Sequence, residues 1–494
     1  MAEATADPMP PQADPHANAG LAMLRGISRE GRYVAGLTLL AAILRISFLD
    51  AKSLWMDEGM TACRVGSGLR NLVSILLHAE MNMCAYYLMM HAWIAHAGNS
   101  EFVLRLPSVV FDTATVPMVY LLGKELGSRR AGLIAALMLT LNATSIEYAQ
   151  TARSYAMLIL LSTSAWVFFV RGLRDPSPGN LAGYIASGAA TVYAHLFGIF
   201  ALPTQALILL WKHPAPKTAR RILLAMIGIG LLDLPAFYFG ITGYHGNIAW
   251  VPSVRPGSIL HLLTFLAGAF DEQVGALPGA LTVLYVIGIL LAIGARDRTE
   301  QNSVKLLLIA LVSPIAMVLA ISIARSIFVL RYLLELLPLY VLLVALGLAQ
   351  LKSRRAGVVV GAVVVLSATG VFNYYRAPSR QDWRGATDFI ATHSKPTDLW
   401  IMYPDSSGCL FNYYHSRYSM IFPWDFLQKE PDKNIDPVVR RLSGITPDGR
   451  CRRVWLTYPT SDPLDISSLR PAFAAGKIVE TALPGIRVVL FEPR

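Results

Sequence analysis

Eleven apolar stretches, separated by short polar connections, run along most of the chain. They begin near 33–49 and continue near 104–122, 131–146, 155–170, 181–195, 197–211, 222–240, 278–294, 304–323, 331–350 and 356–373. Several reach the roughly 20 residues needed to cross a bilayer core. Backbone polar groups in lipid must be satisfied within the segment, so these stretches predict helices. A membrane barrel would need alternating polar positions, and none appear. One further apolar piece, near 84–97, is short for a span and predicts an interfacial helix inside a long loop at about 50–103. The loop at about 241–277 holds a similar piece near 259–270.

After about residue 376 the pattern changes. Apolar runs shorten, and Pro, Ser and charged residues rise. Asp382 to His393 predicts a helix, and Leu399–Tyr403, Arg453–Tyr458, Lys477–Glu480 and Arg487–Phe491 predict strands. The expected organisation has three parts. Residues 1–32 form a disordered cytoplasmic tail. Residues 33–375 form an all-α polytopic membrane domain of about eleven helices. Residues 376–494 form a small external α/β domain.

Charge supplies the orientation. The connections near 123–130, 171–180, 212–221, 295–305 and 351–355 are rich in Lys and Arg, which marks them as cytoplasmic. The net charge of +11 then reflects topology and lipid headgroups, not nucleic acid. Of 494 residues, 54% are hydrophobic and 15% charged, against about 25% charged in soluble proteins. The first apolar stretch lacks a small-residue cleavage site and is expected to be retained. Cys63, Cys84, Cys409 and Cys451 all fall outside in this topology, where disulfides are permitted. Cys409 with Cys451 and Cys63 with Cys84 are candidate bridges, and unpaired thiols are the alternative, because spacing does not give connectivity.

The candidate chemistry lies on the connections opposite the basic ones. Asp57 and Glu58 follow the first helix within Trp55-Met56-Asp57-Glu58-Gly59, where Trp55 can anchor at the interface and Gly59 can form a tight turn. Such a carboxylate can serve as general base, bind a divalent metal or hold an acceptor amine. The plain alternative is an exposed acidic loop. Arg153 lies at a helix junction, and its guanidinium suits a phosphate or carboxylate. Snorkelling to headgroups is the structural alternative. Arg325 and Arg331 flank the mouth of a late helix, and Glu335 lies four residues after Arg331, the spacing of a helical ion pair. Tyr86, Tyr148, Gln150, Tyr155 and His195 are candidates to line a substrate pocket. His91 and His96 are five apart, off the helical spacing for two ligands, and no Cys/His pattern marks a metal site. Asp271-Glu272 reads as a solvated loop, while Asp112 and Asp233 sit inside apolar stretches and invite internal pairing.

At these residues the chain resembles the GT-C membrane glycosyltransferases, and within them the bacterial relatives of protein O-mannosyltransferases and of the lipid A sugar transferases. Five segments carry the resemblance in family order: Trp55–Gly59, Glu101–Ser108, Tyr148–Ala156, Arg331–Pro338 and Asp382–Ala386. Two positions depart from it. Asn82-Met83-Cys84-Ala85-Tyr86-Tyr87 stands where relatives often have His-Pro-Pro-Leu-Tyr, and Thr151 where they often have Glu. That missing role is either lost or moved to Glu147.

The resemblance implies a multi-pass protein of the bacterial inner membrane. It implies inverting transfer of a hexose or pentose from a polyprenyl-phosphate sugar to a glycan, lipid or protein acceptor on the periplasmic side. Asp57 and Glu58 would be catalytic, and Arg153, Arg331 and Arg325 would hold the donor phosphate. A non-catalytic transporter or flippase of lipid-linked sugars, or an envelope-assembly scaffold, is the alternative. The geometric expectation is that Asp57, Arg153 and Arg331 converge on one cavity.

Overall fold

A computed structural model describes residues 28–242, 251–270, 275–396, 398–404, 407–415, 424–426, 453–461 and 477–492. Among these, seven helices are long and apolar enough to cross a membrane: Glu101–Glu125, Tyr155–Arg174, Pro216–Thr242, Ala276–Ile293, Arg298–Ala324, Leu330–Gln350 and Ser353–Arg376. Helices Arg129–Thr140 and Ala143–Ala149 make an eighth if taken together, bent by 61°. The bend falls at Asn142, whose side chain accepts from Ser145 N at 2.9 Å and donates to Leu266 O at 3.0 Å. It caps the second helix and ties it to Ser258–Ala267. The other three apolar stretches are also helical, as Arg29–Ile46, Pro178–Ala194 and Ala201–Lys212, the last preceded by a 3-10 turn, Leu196–Phe200. They are shorter or more charged than the seven.

The interfacial helix appears at Cys84–Ala97, after two others in the same loop, Met56–Gly66 and Leu69–His78. At the C-terminal end, helices Trp383–His393 and Gly408–His415 accompany a five-stranded mixed sheet. Its strands are β1 (Leu399–Met402), β2 (Trp424–Phe426), β3 (Val454–Pro459), β4 (Lys477–Leu483) and β5 (Ile486–Glu492), in the order β2-β1-β3-β5-β4. β1 runs parallel to β2 and β3, and β5 antiparallel to β3 and β4. Asp271, Glu272 and Cys451 lie outside the described residues.

The basic connections gather at one end of the bundle. Arg129 pairs with Glu30 at 3.2 Å, Arg171 with Glu125 at 2.8 Å, Arg130 donates to Ala349 O and Ser303 to Leu126 O. Small residues let helices meet closely. A Cβ on Gly347 would lie 1.8 Å from Gly288 O, so helices Ala276–Ile293 and Leu337–Gln350 touch backbone to backbone.

Of the two aspartates within apolar stretches, Asp112 does pair. Its carboxylate takes Arg45 Nη2 at 3.1 Å and the Ser145 hydroxyl at 2.6 Å. Arg45 also donates to Ala41 O, Leu139 O and Thr140 O. Both side chains are fully buried, and the pair persists there because its hydrogen bonds are met on both sides. Asp233 is buried without a hydrogen-bond partner among the described residues. Removing one member of the Arg45–Asp112 pair strands a buried charge. Asp112→Ala is therefore expected to cost about 3–5 kcal/mol, and the double change Arg45→Met with Asp112→Leu much less. Thermal unfolding in detergent checks both, and equal losses would refute the pairing argument.

Candidate active site

The acidic pair lies in the first turn of helix Met56–Gly66, where carboxylates complement unpaired backbone N–H groups. Glu58 Oε2 accepts from Trp55 N at 3.3 Å, one half of a capping box. Gly59 does not form the expected tight turn. It is helical, and its missing side chain admits Leu410, whose Cγ would sit 2.3 Å from a Cβ there.

Adjacent helical residues point about 100° apart, so the two acids enter different surroundings. Glu58 turns inward and is buried. It takes Arg105 in a two-pronged pair, Nε to Oε1 at 2.8 Å and Nη2 to Oε2 at 2.7 Å, and accepts from Ala152 N at 2.8 Å. Arg105 spends its other N–H groups on Leu49 O, Lys52 O and Ser53 O. Asp57 stays partly exposed, with Oδ2 3.7 Å from Arg331 Nη2.

Arg331 comes from a 3-10 segment, Leu330–Leu336, that opens the helix Leu337–Gln350. Its Nε donates to Tyr155 OH at 3.1 Å. The expected Arg331–Glu335 pair does not form. A 3-10 helix aligns i with i+3, so Glu335 faces elsewhere. It is buried, without a hydrogen-bond partner among the described residues.

Arg153 lies between helices Ala143–Ala149 and Tyr155–Arg174. Its Nη1 reaches Asp57 O at 3.5 Å and Tyr87 OH at 2.8 Å. Its buried Nε has no hydrogen-bond partner among the described residues. Arg64 donates to the same Tyr87 oxygen at 2.8 Å and pairs with Glu80 at 3.2 Å. Burial pushes the Glu80 carboxyl above the usual range, against the pull of Arg64 and Arg153. An aromatic wall adjoins this cluster: Tyr148 against Tyr155 at 5.1 Å, Tyr155 against His195 at 5.8 Å, and His195 against Tyr332 at 4.8 Å.

The structure thus draws Asp57, Arg153, Arg331, Tyr155, Tyr148 and His195 together. Others stand apart. Arg325 is exposed at the end of helix Arg298–Ala324, and no described contact joins it to Asp57 or Arg331. Gln150 is fully used, donating to Arg45 O and Ser47 O and accepting from Tyr374 OH. Tyr86 is buried near Ser108. A small cleft opens beside Trp55, lined by Lys52, Glu58, Glu147, Tyr374 and Arg380 among others. Asp57, Arg153 and Arg331 are not in its wall, so the convergence does not coincide with this cavity. Arg380 pairs with Glu147 at 2.6 Å and lies 4.6 Å over the Trp55 ring, which Arg331 approaches at 5.9 Å.

The sequence reading missed Arg64, Glu80, Tyr87 and Arg380. One signal existed for Arg64, which is seven residues after Asp57 and therefore on the same helical face. His91 and His96 spend Nδ1 on Val65 O and Ala92 O. No group of three His, Cys, Asp or Glu among the described residues is arranged to hold a metal.

Residues 83–238 match the family model described as dolichyl-phosphate-mannose-protein mannosyltransferase. No curated protein matches the sequence. The fold is similar to that of ArnT from Cupriavidus metallidurans in the apo state, with a TM-score of 0.62 and 15% identity over 96% of this chain and 98% of that one. The same protein bound to undecaprenyl phosphate gives 0.61 and 15%, covering 93% and 97%. The archaeal oligosaccharyltransferase AglB from Archaeoglobus fulgidus, in complex with an inhibitory peptide and a dolichol-phosphate, gives 0.55 and 9%, covering 93% and 74%. The GT-C resemblance carried by the motifs is therefore found again in the family match and in the fold.

The two neighbouring acids should separate by experiment. Glu58→Ala leaves Arg105 buried without its partner and is expected to cost about 3–5 kcal/mol. Asp57→Asn, at a partly exposed site, is expected to stay within about 0.5 kcal/mol. Thermal unfolding followed by intrinsic fluorescence distinguishes them, and equal losses would show that both acids are structural.

Proposed function

We propose that this chain is an inverting glycosyltransferase that moves a sugar from a polyprenyl-phosphate donor to an acceptor at the periplasmic face of the bacterial inner membrane. The observation that carries the reading is Asp57 placed between two guanidinium groups, Arg331 at 3.7 Å and Arg153 at its backbone carbonyl. The fold likeness to a protein solved with undecaprenyl phosphate supports a lipid-linked donor. Gathering of the basic loops at the opposite end supports the orientation. In this reading all eleven apolar helical stretches cross the membrane, counting the bent pair as one, and residues 376–494 form the external domain.

The chemistry follows from the charges. An acceptor hydroxyl attacks the anomeric carbon from the face opposite the phosphate, and Asp57 takes its proton. The bond from the anomeric carbon to the phosphate oxygen breaks through an oxocarbenium-like state, the bond to the acceptor oxygen forms, and configuration inverts. The leaving phosphate is already anionic, so it requires positive charge and no acid. Arg331 and Arg153 supply that charge, the latter with an Nε that has no hydrogen-bond partner among the described residues. Glu58 acts through Arg105 as a positioning residue. Tyr148, Tyr155 and His195 form the wall on which sugar or prenyl rests. Lys52 and Arg380 mark the cleft beside Trp55 as the place of the second substrate.

Purified protein, incubated with a panel of radiolabelled polyprenyl-phosphate sugars with and without chelator, is expected to transfer one of them. Asp57→Asn should lower turnover by about 10²–10⁴-fold while melting unchanged. Near-normal turnover by that variant removes Asp57 from the reaction. Movement of lipid-linked sugar across vesicles without transfer would favour the transporter reading. Arg331→Met should lose about 10²–10³-fold in turnover, as when one transition-state donor is removed. An unchanged rate would place the phosphate elsewhere.

A further inference from the structure

Cys63 with Cys84 and Cys409 with Cys451 are candidate bridges from the sequence, with unpaired thiols the alternative, and Cys451 lies outside the described residues. Among the described residues, Cys63 is brought beside Cys409. Cys63 lies in helix Met56–Gly66, six residues after Asp57, and Cys409 lies in the first turn of helix Gly408–His415. The two thiols lie close enough to perturb each other. Cys84 is buried and directs its thiol at Tyr193 O, 3.7 Å away.

The approach of Cys63 and Cys409 is built into the packing. Gly59 is one turn before Cys63 on the same helical face, and its bare Cα is what admits Leu410, the neighbour of Cys409. Tyr414, on the same short helix, accepts from Leu54 N at 2.8 Å and donates to Glu101. Helix Gly408–His415 is therefore fixed against both the acid-bearing helix and the start of Glu101–Glu125.

We propose that Cys63 and Cys409 form a disulfide in the mature protein, joining the C-terminal domain to the helix that carries Asp57. The proposal rests on the external orientation given above, which puts both residues in an oxidising compartment. The chemistry balances with a protein or small-molecule disulfide as oxidant. Cys63 thiolate attacks one sulfur of that disulfide and expels the other as a thiol. Cys409 loses its proton and attacks the Cys63 sulfur of the mixed disulfide, releasing the second thiol. Two thiols of the chain thus give up two electrons and two protons, and the oxidant's disulfide becomes two thiols. Cys63 suits the first step. It is exposed, and the neighbouring Cys409, helped by Arg64, draws its thiol down to about 7, near the optimum for an attacking thiol at neutral pH.

The full chain in isolated membranes is blocked with a maleimide, reduced, and treated with a maleimide of large mass that retards it on a gel. Wild type and Cys84→Ser should each reveal two thiols on reduction, and Cys63→Ser and Cys409→Ser none. Two thiols revealed in Cys63→Ser would mean that Cys409 pairs elsewhere and would overturn the proposal. None in wild type would overturn it if the face is external. That condition is read separately by labelling Cys409→Ser in whole cells with a membrane-impermeant maleimide directed at Cys63. Labelling only after permeabilisation means that the orientation is wrong. The pair is then tested directly with oxidised glutathione on purified protein, and no cross-link between the two residues rejects the proposal independently of the orientation.

Discussion

The Glu58–Arg105 pair sets the phase of everything around it. Burying two charges carries a desolvation cost of several kcal/mol per ion, and the pair endures only if the remaining hydrogen bonds are met. Here they are: Glu58 serves Arg105, Ala152 N and Trp55 N, and Arg105 serves three carbonyls of the turn after the first helix. Three segments far apart in sequence, around 49–58, Arg105 and Ala152, are thereby locked together through one ion pair. Once Glu58 points inward, helical geometry turns Asp57 away, toward Arg331, and puts Arg64 on the same side, where it meets Tyr87. Asp57, the proposed base, is thus positioned by its neighbour's burial.

A second constraint divides the molecule into two ends. Basic connections meet acidic partners and backbone carbonyls at one end, with much of their charge exposed. At the other, guanidiniums are buried and face tyrosine hydroxyls: Arg153 and Arg64 share Tyr87, and Arg331 takes Tyr155. A phenol partner satisfies a donor without neutralising its charge, and although Glu80 meets Arg64 and Asp57 meets Arg331, three guanidiniums face two carboxylates there among the described residues. That asymmetry would suit the lipid-phosphate donor proposed above.

The helices were legible because lipid-exposed segments exclude charge, and their lengths follow from bilayer thickness. The strands of the C-terminal sheet were legible as short apolar runs with turn residues between them. Partners were not. Reading Asp57 and Glu58 as a loop hid the divergence of about 100° that gives them separate surroundings, and reading Leu330–Leu336 as α-helix produced an Arg331–Glu335 pair that the 3-10 geometry forbids. Gly59 signalled a turn, yet its purpose is contact with Leu410, some 350 residues away, and the same contact places Cys63 by Cys409. Local periodicity cannot reach such distances, and side-chain pairing across the fold is decided there.

The segment Asn82–Tyr87, which departs from the His-Pro-Pro-Leu-Tyr pattern of the family it resembles, is held in place by its own hydrogen bonds. Met83 takes a left-handed conformation, φ 68°, at the start of helix Cys84–Ala97, a costly state for a residue with a side chain. Asn82 offsets that cost by accepting from Leu196 N at 3.0 Å, beside His195, whose Nδ1 accepts from Phe197 N at 3.2 Å. Prolines stiffen a segment by restricting φ; here hydrogen bonds to a distant helix end do so instead. The consequence is coupling, because the helix that delivers Tyr87 to Arg153 is fastened to the His195 end of the aromatic wall. A movement at the His195 end would therefore reach the helix that bears Tyr87, and with it Arg153, through Asn82.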